Sequence, residues 1–106
     1  MITVTVFTKK GVYQGFETDG HAGYAEKGKD IICAAVSALT VNTVNSITEL
    51  AKDKVIAGEQ DGNVRCIFPD PISDQGKLLM DSMVLGIDAI VKNYGKTYLC
   101  LKFEEV

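Results

Sequence analysis

Apolar and polar residues alternate from Ile2 to Thr8, with Ile2, Val4 and Val6 on one side and Thr3, Thr5 and Phe7 on the other. That is the period of a half-buried strand. Lys9-Lys10-Gly11 supplies a turn, and Val12 to Thr18 forms the second arm of a hairpin. Gly15 within that arm marks either a bulge or a place where another backbone approaches closely. From Ile31 the period changes: Ile32, Val36, Leu39, Val44, Ile47 and Leu50 recur at the spacing of a core-facing helix, which should end near Lys52-Asp53. A second hairpin follows, Val55 to Glu59 and Asn63 to Phe68, joined by Gln60-Asp61-Gly62. Pro69-Asp70-Pro71 stops the strand and Ser73 or Asp74 can cap a second helix. Its apolar stripe is Met80, Met83, Val84, Ile87, Ile90 and Val91, core spacing rather than a cofactor box. Gly95 supplies a left-handed stop, and Lys96 to Glu104 is a last strand with Thr97, Leu99, Leu101 and Phe103 on one face.

The order is therefore β-β-α-β-β-α-β. It packs most simply as an α+β two-layer domain spanning residues 1–106, a mostly antiparallel sheet against two helices. No apolar run reads as long enough to cross a bilayer, and the opening residues form a strand pattern rather than a leader, so a cytoplasmic protein with no membrane partner is expected. The 11 basic and 14 acidic residues are interspersed, for a net charge of −3, which gives no footprint for nucleic acid. Cys33, Cys66 and Cys100 are widely and irregularly spaced. Neither a disulfide framework nor a metal site is expected from them, and no cofactor is called for. Cys66 and Cys100 lie inside strand patterns, as inert small hydrophobes.

The chemistry concentrates between the first hairpin and the first helix. Gly20 to Lys29 carries three glycines, mixed charge and no apolar period, which reads as a mobile loop, and it holds the sole histidine, His21. Asp30 is a favoured N-cap residue, so Cys33 falls at the third helical position. A helix's first turn offers unpaired N–H groups and a positive dipole end, both of which favour an anion. His21 is the one imidazole in the sequence available to move a proton. Twelve residues of loop can fold it over the helix start, so the spacing permits a Cys/His pair without proving one. A small buried core cysteine is the competing reading. Ser37 lies one turn beyond Cys33 on the same face, and a helical serine bonded back to a main-chain carbonyl explains it equally well. Tyr24 and Phe16 are candidates to line an apolar groove.

Gly20-His21-Ala22 followed by Gly28-Lys29-Asp30-Ile31-Ile32-Cys33-Ala34-Ala35 resembles the signature of the ribosomal-processing cysteine protease family, Prp. That signature is a Gly-His-Ala triplet, a short loop, then Gly-x-Asp-Ile-hydrophobic-Cys-Ala-Ala. The resemblance extends in length and element order over essentially the whole chain, with Ile32 in place of a more usual valine. It implies a homodimeric cysteine endopeptidase that removes a short N-terminal extension from a large-subunit ribosomal protein, the twenty-seventh, and so supports ribosome assembly. It also implies that Cys33 is the nucleophile and His21 the general acid/base, with Gly20, Asp30 and Ser37 in supporting positions. Asp30 could orient His21 as a third triad member or cap the helix. Backbone N–H groups at the helix start are candidates to stabilise the tetrahedral oxygen. If the loop is mobile, substrate would order it and assemble the pair.

Two other classes use the same residues. A non-catalytic ribosome-associated module would grip a peptide with the loop, and a thiol redox sensor would expose Cys33 to oxidants. Neither needs His21.

Overall fold

The computed structural model describes residues 1–26 and 30–106. The alternating segments become β1 (Ile2–Lys9) and β2 (Val12–Gly20), followed by α1 (Ile31–Glu49). Then come β3 (Ile56–Gln60), β4 (Asn63–Ile67), α2 (Asp74–Tyr94) and β5 (Leu99–Glu105). One sheet runs in the order β3-β4-β2-β1-β5. Its pairings are antiparallel except for β1 with β5, which run parallel. The expected α+β two-layer architecture is the observed one.

Both helices cover the same sheet face. Val4, Val6, Phe16, Cys66 and Leu99 from the strands are buried in one cluster with Ile32, Val36 and Ile47 of α1 and Met80, Met83 and Ile87 of α2. Phe16 is thus a core residue with no exposure, and it does not line a groove. Gly15 satisfies both expectations at once. The β1–β2 register shifts between Phe7 and Thr8 opposite it, and a Cβ on Gly15, at φ +151°, would run into the Cys66 carbonyl oxygen of β4. The second hairpin turns at Asp61 (φ 54°) and Gly62 (φ 83°), the paired positive angles of a type I′ turn.

Several expectations shift. Thr5 and Phe7 are buried although they lie on the far face of β1, because that strand sits inside the sheet and the Arg65 guanidinium lies 5.9 Å from the centre of the Phe7 ring. α1 stops at Glu49, leaving Leu50 74% exposed. The chain reverses at Lys52 (φ 60°), and the Asp53 N–H donates to the Ile47 carbonyl. Thr40 and Thr43, polar in the sequence pattern, are buried because their hydroxyls donate to the carbonyls of Val36 and Leu39 one turn back. Lys96 to Tyr98 form a turn, so β5 begins only at Leu99, and Phe103 is 56% exposed.

α1 also corrects the reading that no run could cross a bilayer. Its mean hydropathy of 1.5 makes it long and apolar enough by length and composition. Its inward residues Ile32, Val36, Thr40, Thr43 and Ile47 are packed in the protein core.

Candidate active site

The site is built where β2 ends and α1 begins. Gly20 is the last residue of β2 and pairs with Ile2 of β1. Its φ is +93°, and a Cβ there would collide with the Met1 carbonyl oxygen. A side chain is excluded twice over, by conformation and by space. That tight exit delivers His21, exposed, to the mouth of a cleft.

Asp30 organises the other side. It is the N-cap of α1, and its Oδ1 accepts the N–H groups of Ile32 and Cys33, each at 3.0 Å. Its Oδ2 accepts the N–H of Tyr24 at 3.0 Å and of Ala25 at 3.5 Å. Both oxygens accept backbone N–H groups, one at the start of α1 as its N-cap and the other in the loop before it. Burial alone would push this carboxyl up. The N–H groups of Cys33, Tyr24 and Ala25, together with the Cys33 side chain, outweigh it and hold the carboxyl below its ordinary value. The same bonds overturn the expectation that the helix-start N–H groups are open to a tetrahedral oxygen. Those of Ile32 and Cys33 are bonded to Asp30 Oδ1, and that of Ala34 to the Asp30 carbonyl at 3.1 Å.

Cys33 stands at the third helical position, half-buried, with one contact the sequence did not disclose. The Ala22 N–H points at its Sγ at 3.5 Å. Ala22 is itself buried, so the residue immediately after His21 is clamped onto the sulfur. His21, Cys33 and Ser37 line the same two hollows. One of about 110 Å³ reaches inward to Thr18 and Thr40, and one of about 800 Å³ opens toward Gly23, Ala25 and Asp30. Ser37 faces these hollows, while back-bonding along α1 is done by Thr40, Thr43 and Thr48. Gly20, His21, Asp30, Cys33 and Ser37 thus gather at one cleft, which neither Tyr24 nor Phe16 lines.

Of the loop expected over Gly20–Lys29, Lys27, Gly28 and Lys29 lie outside the described residues. Among the described residues the loop is tied at four points: Gly20 to β1, Ala22 to Cys33, and Tyr24 and Ala25 to Asp30.

The opposite wall was missed. Asp61 and Gly62 of the β3–β4 turn line both hollows, with Asn63 beside the inner one. The turn chemistry was legible, but its destination follows from non-local pairing. β4 runs antiparallel to β2 with Arg65 opposite Glu17, so the start of β4 lies beside the end of β2. The Val64 N–H donates to Thr18 Oγ1 at 2.9 Å, which fixes the turn over the cleft.

Cys66 and Cys100 stand apart. Burial pushes the Cys66 thiol up to about 11, and Cys100 lies half-buried in β5. Among the described residues no group of three His, Cys, Asp or Glu is placed to hold a metal ion.

Compared with known proteins, this fold and cleft define a cysteine peptidase. A crystal structure of an essential ribosomal processing protease Prp from S. aureus, in complex with a covalently linked product peptide, superposes with a TM-score of 0.91. It is 28% identical in sequence, with 98% of this chain and 100% of that one covered. The chain belongs to the Cysteine protease Prp family, whose profile matches residues 1–99. The ribosomal processing cysteine protease Prp of Bacillus subtilis is 32% identical over 91 residues, 80% of each chain. That of Staphylococcus aureus is 29% identical over 99 residues, 91% of this chain and 93% of the relative. Membership in a family of cysteine proteases displaces the binding-module and redox-sensor readings.

Proposed function

We propose that this peptidase removes the short N-terminal extension of the twenty-seventh large-subunit ribosomal protein, with Cys33 as nucleophile and His21 as general acid/base. The observation that carries the reading is the clamp of Ala22 N–H on Cys33 Sγ, which puts the residue after His21 against the sulfur inside one cleft. The names of the relatives, ribosomal processing proteases, support the substrate class.

The steps follow from ordinary thiol chemistry. Cys33 thiolate adds to the scissile carbonyl carbon, with the Ala22 N–H lying 3.5 Å from the sulfur. The C–N bond breaks as His21 imidazolium gives its proton to the departing amine, leaving a thioester on Cys33. Water then attacks the thioester while His21 takes a proton, which releases the extension as a carboxylate and restores the thiolate. Gly20 fixes the exit that presents His21, Asp30 sets where Cys33 sits, and Ser37 lines the floor of the cleft.

The protein acts in the cytoplasm, where ribosomes assemble, and as a homodimer. The dimer is supported by the exposed apolar residues Val41 of α1 and Leu78 and Leu85 of α2, the last two about 70% exposed. Sedimentation at micromolar concentration should give twice the chain mass.

Incubating the protein with the extended ribosomal protein, and reading intact and cut masses, tests the function. One defined cut by the parent, none by folded Cys33→Ala and none by folded His21→Ala is expected. Cleavage by either variant at the parent rate would remove that residue from the mechanism.

A further inference from the structure

We propose that Tyr24 is a positioning residue for the cleavage, an aromatic latch that holds the His21 loop against the far end of α2. Its ring meets that of Tyr94 at 5.8 Å between centroids and 88° between planes, and that of Tyr98 at 5.1 Å and 79°. Both are edge-to-face geometries, the favoured arrangement for aromatic pairs. Tyr94 is the last residue of α2 and Tyr98 immediately precedes β5. The backbone of Tyr24 meanwhile donates its N–H to Asp30 Oδ2. One residue thus joins the loop to the start of α1 through its main chain and to the end of α2 through its side chain.

The position along the chain gives this its consequence. Tyr24 is three residues after His21, with the Ala22 clamp on Cys33 Sγ between them. The clamp and the Asp30 bonds hold the loop from the α1 side only. The tyrosine cluster supplies the opposing hold, so the course of the loop past Cys33 is set from two directions. Tyr24 is 41% exposed and Tyr94 43%, while Tyr98 packs against the main core, so loss of the Tyr24 ring is felt in loop placement rather than in global stability. Misplacing a general acid/base by a fraction of an ångström lowers turnover without weakening substrate binding.

This inference rests on the reading of His21 and Cys33 as the catalytic pair, and the test separates the two. Parent, Tyr24→Phe, Tyr24→Ala, Tyr98→Ala and His21→Ala are compared by kcat and KM on a peptide spanning the extension, by thermal midpoint, and by the pH dependence of iodoacetamide alkylation read on the Cys33 peptide by mass spectrometry. Tyr24→Phe keeps the ring and should match the parent. Tyr24→Ala and Tyr98→Ala should lose roughly tenfold in kcat with KM unchanged, and the Cys33 alkylation profile of Tyr24→Ala should move toward that of His21→Ala. A folded Tyr24→Ala with the parent's kcat and alkylation profile, beside an inactive His21→Ala, would overturn the latch and leave the catalytic pair standing. A loss in Tyr24→Phe equal to that in Tyr24→Ala would also overturn it, since the ring would then not be the cause. A fully active His21→Ala would remove the pair and the latch together.

Discussion

The two helices begin in the same way and end up with different work. α1 starts at Asp30, whose carboxylate caps the N–H groups of Ile32 and Cys33. α2 starts at Ser73, whose hydroxyl accepts the Gly76 N–H at 3.1 Å while Asp53 accepts from both the N–H and the hydroxyl of Ser73. Each start is therefore organised by one carboxylate, and each has a telling residue at its third position. At α2 that residue is Gly76, where a Cβ would run into Asp53 Oδ2, so the carboxylate closes over the helix end. At α1 it is Cys33, because Asp30 is the cap itself and turns its second oxygen toward Tyr24 and Ala25, leaving the third side chain open to the cleft. The two carboxylates thus treat the third position differently: Asp53 covers it at α2, while Asp30 ties a loop beside it at α1.

The largest effect that would break this contrast is in Asp30→Asn. Asparagine is as good a cap as aspartate, so the helix should lose only a few tenths of a kcal/mol. Its amide, however, cannot accept from Ile32 and Cys33 with one atom and from Tyr24 and Ala25 with the other. Cleavage should fall on the order of 100-fold while the urea midpoint moves only by the amount those few tenths imply, which a role confined to capping would not produce. Asp53→Ala should do the opposite, destabilising the fold by about 1–2 kcal/mol by chemical denaturation, with kcat/KM within a factor of two or so of the parent.

Acid sharpens the contrast at a smaller scale. The Asp30 carboxyl is held below its ordinary value, so its contribution to stability is complete above the unfolded value of about 3.9 and is lost as pH falls through the lower folded value. The stability gap between parent and Asp30→Ala, about 1 kcal/mol at neutral pH, should therefore close below about pH 4. A gap that persisted at lower pH would mean that the charge is not what the four N–H groups recognise.

How far the sequence led depends on how local each feature is. The cap at Asp30, the third-position Cys33, the Asp61-Gly62 turn and the stop at Gly95 are set by residues within one turn of each other, and all were readable. Thr40 and Thr43 fall outside the apolar period of α1 yet are buried, because a hydroxyl that satisfies itself on the preceding turn buries like a methyl group. The parallel pairing of β5 with β1 and the Asp61-Gly62 wall of the cleft depend on which distant strands become neighbours, and periodicity carries no record of that. The site was legible as a motif. The Ala22 clamp on Cys33 was not, since it depends on the loop's path rather than on the alanine.

The most direct measurement is a mass spectrum of the protein quenched in acid during turnover of the extended ribosomal protein, with the adduct mapped by proteolysis. The account predicts a transient added mass equal to the extension less water, carried as a thioester on the peptide containing Cys33. No adduct under conditions where the bond is cut, or an adduct on Cys100, would contradict it.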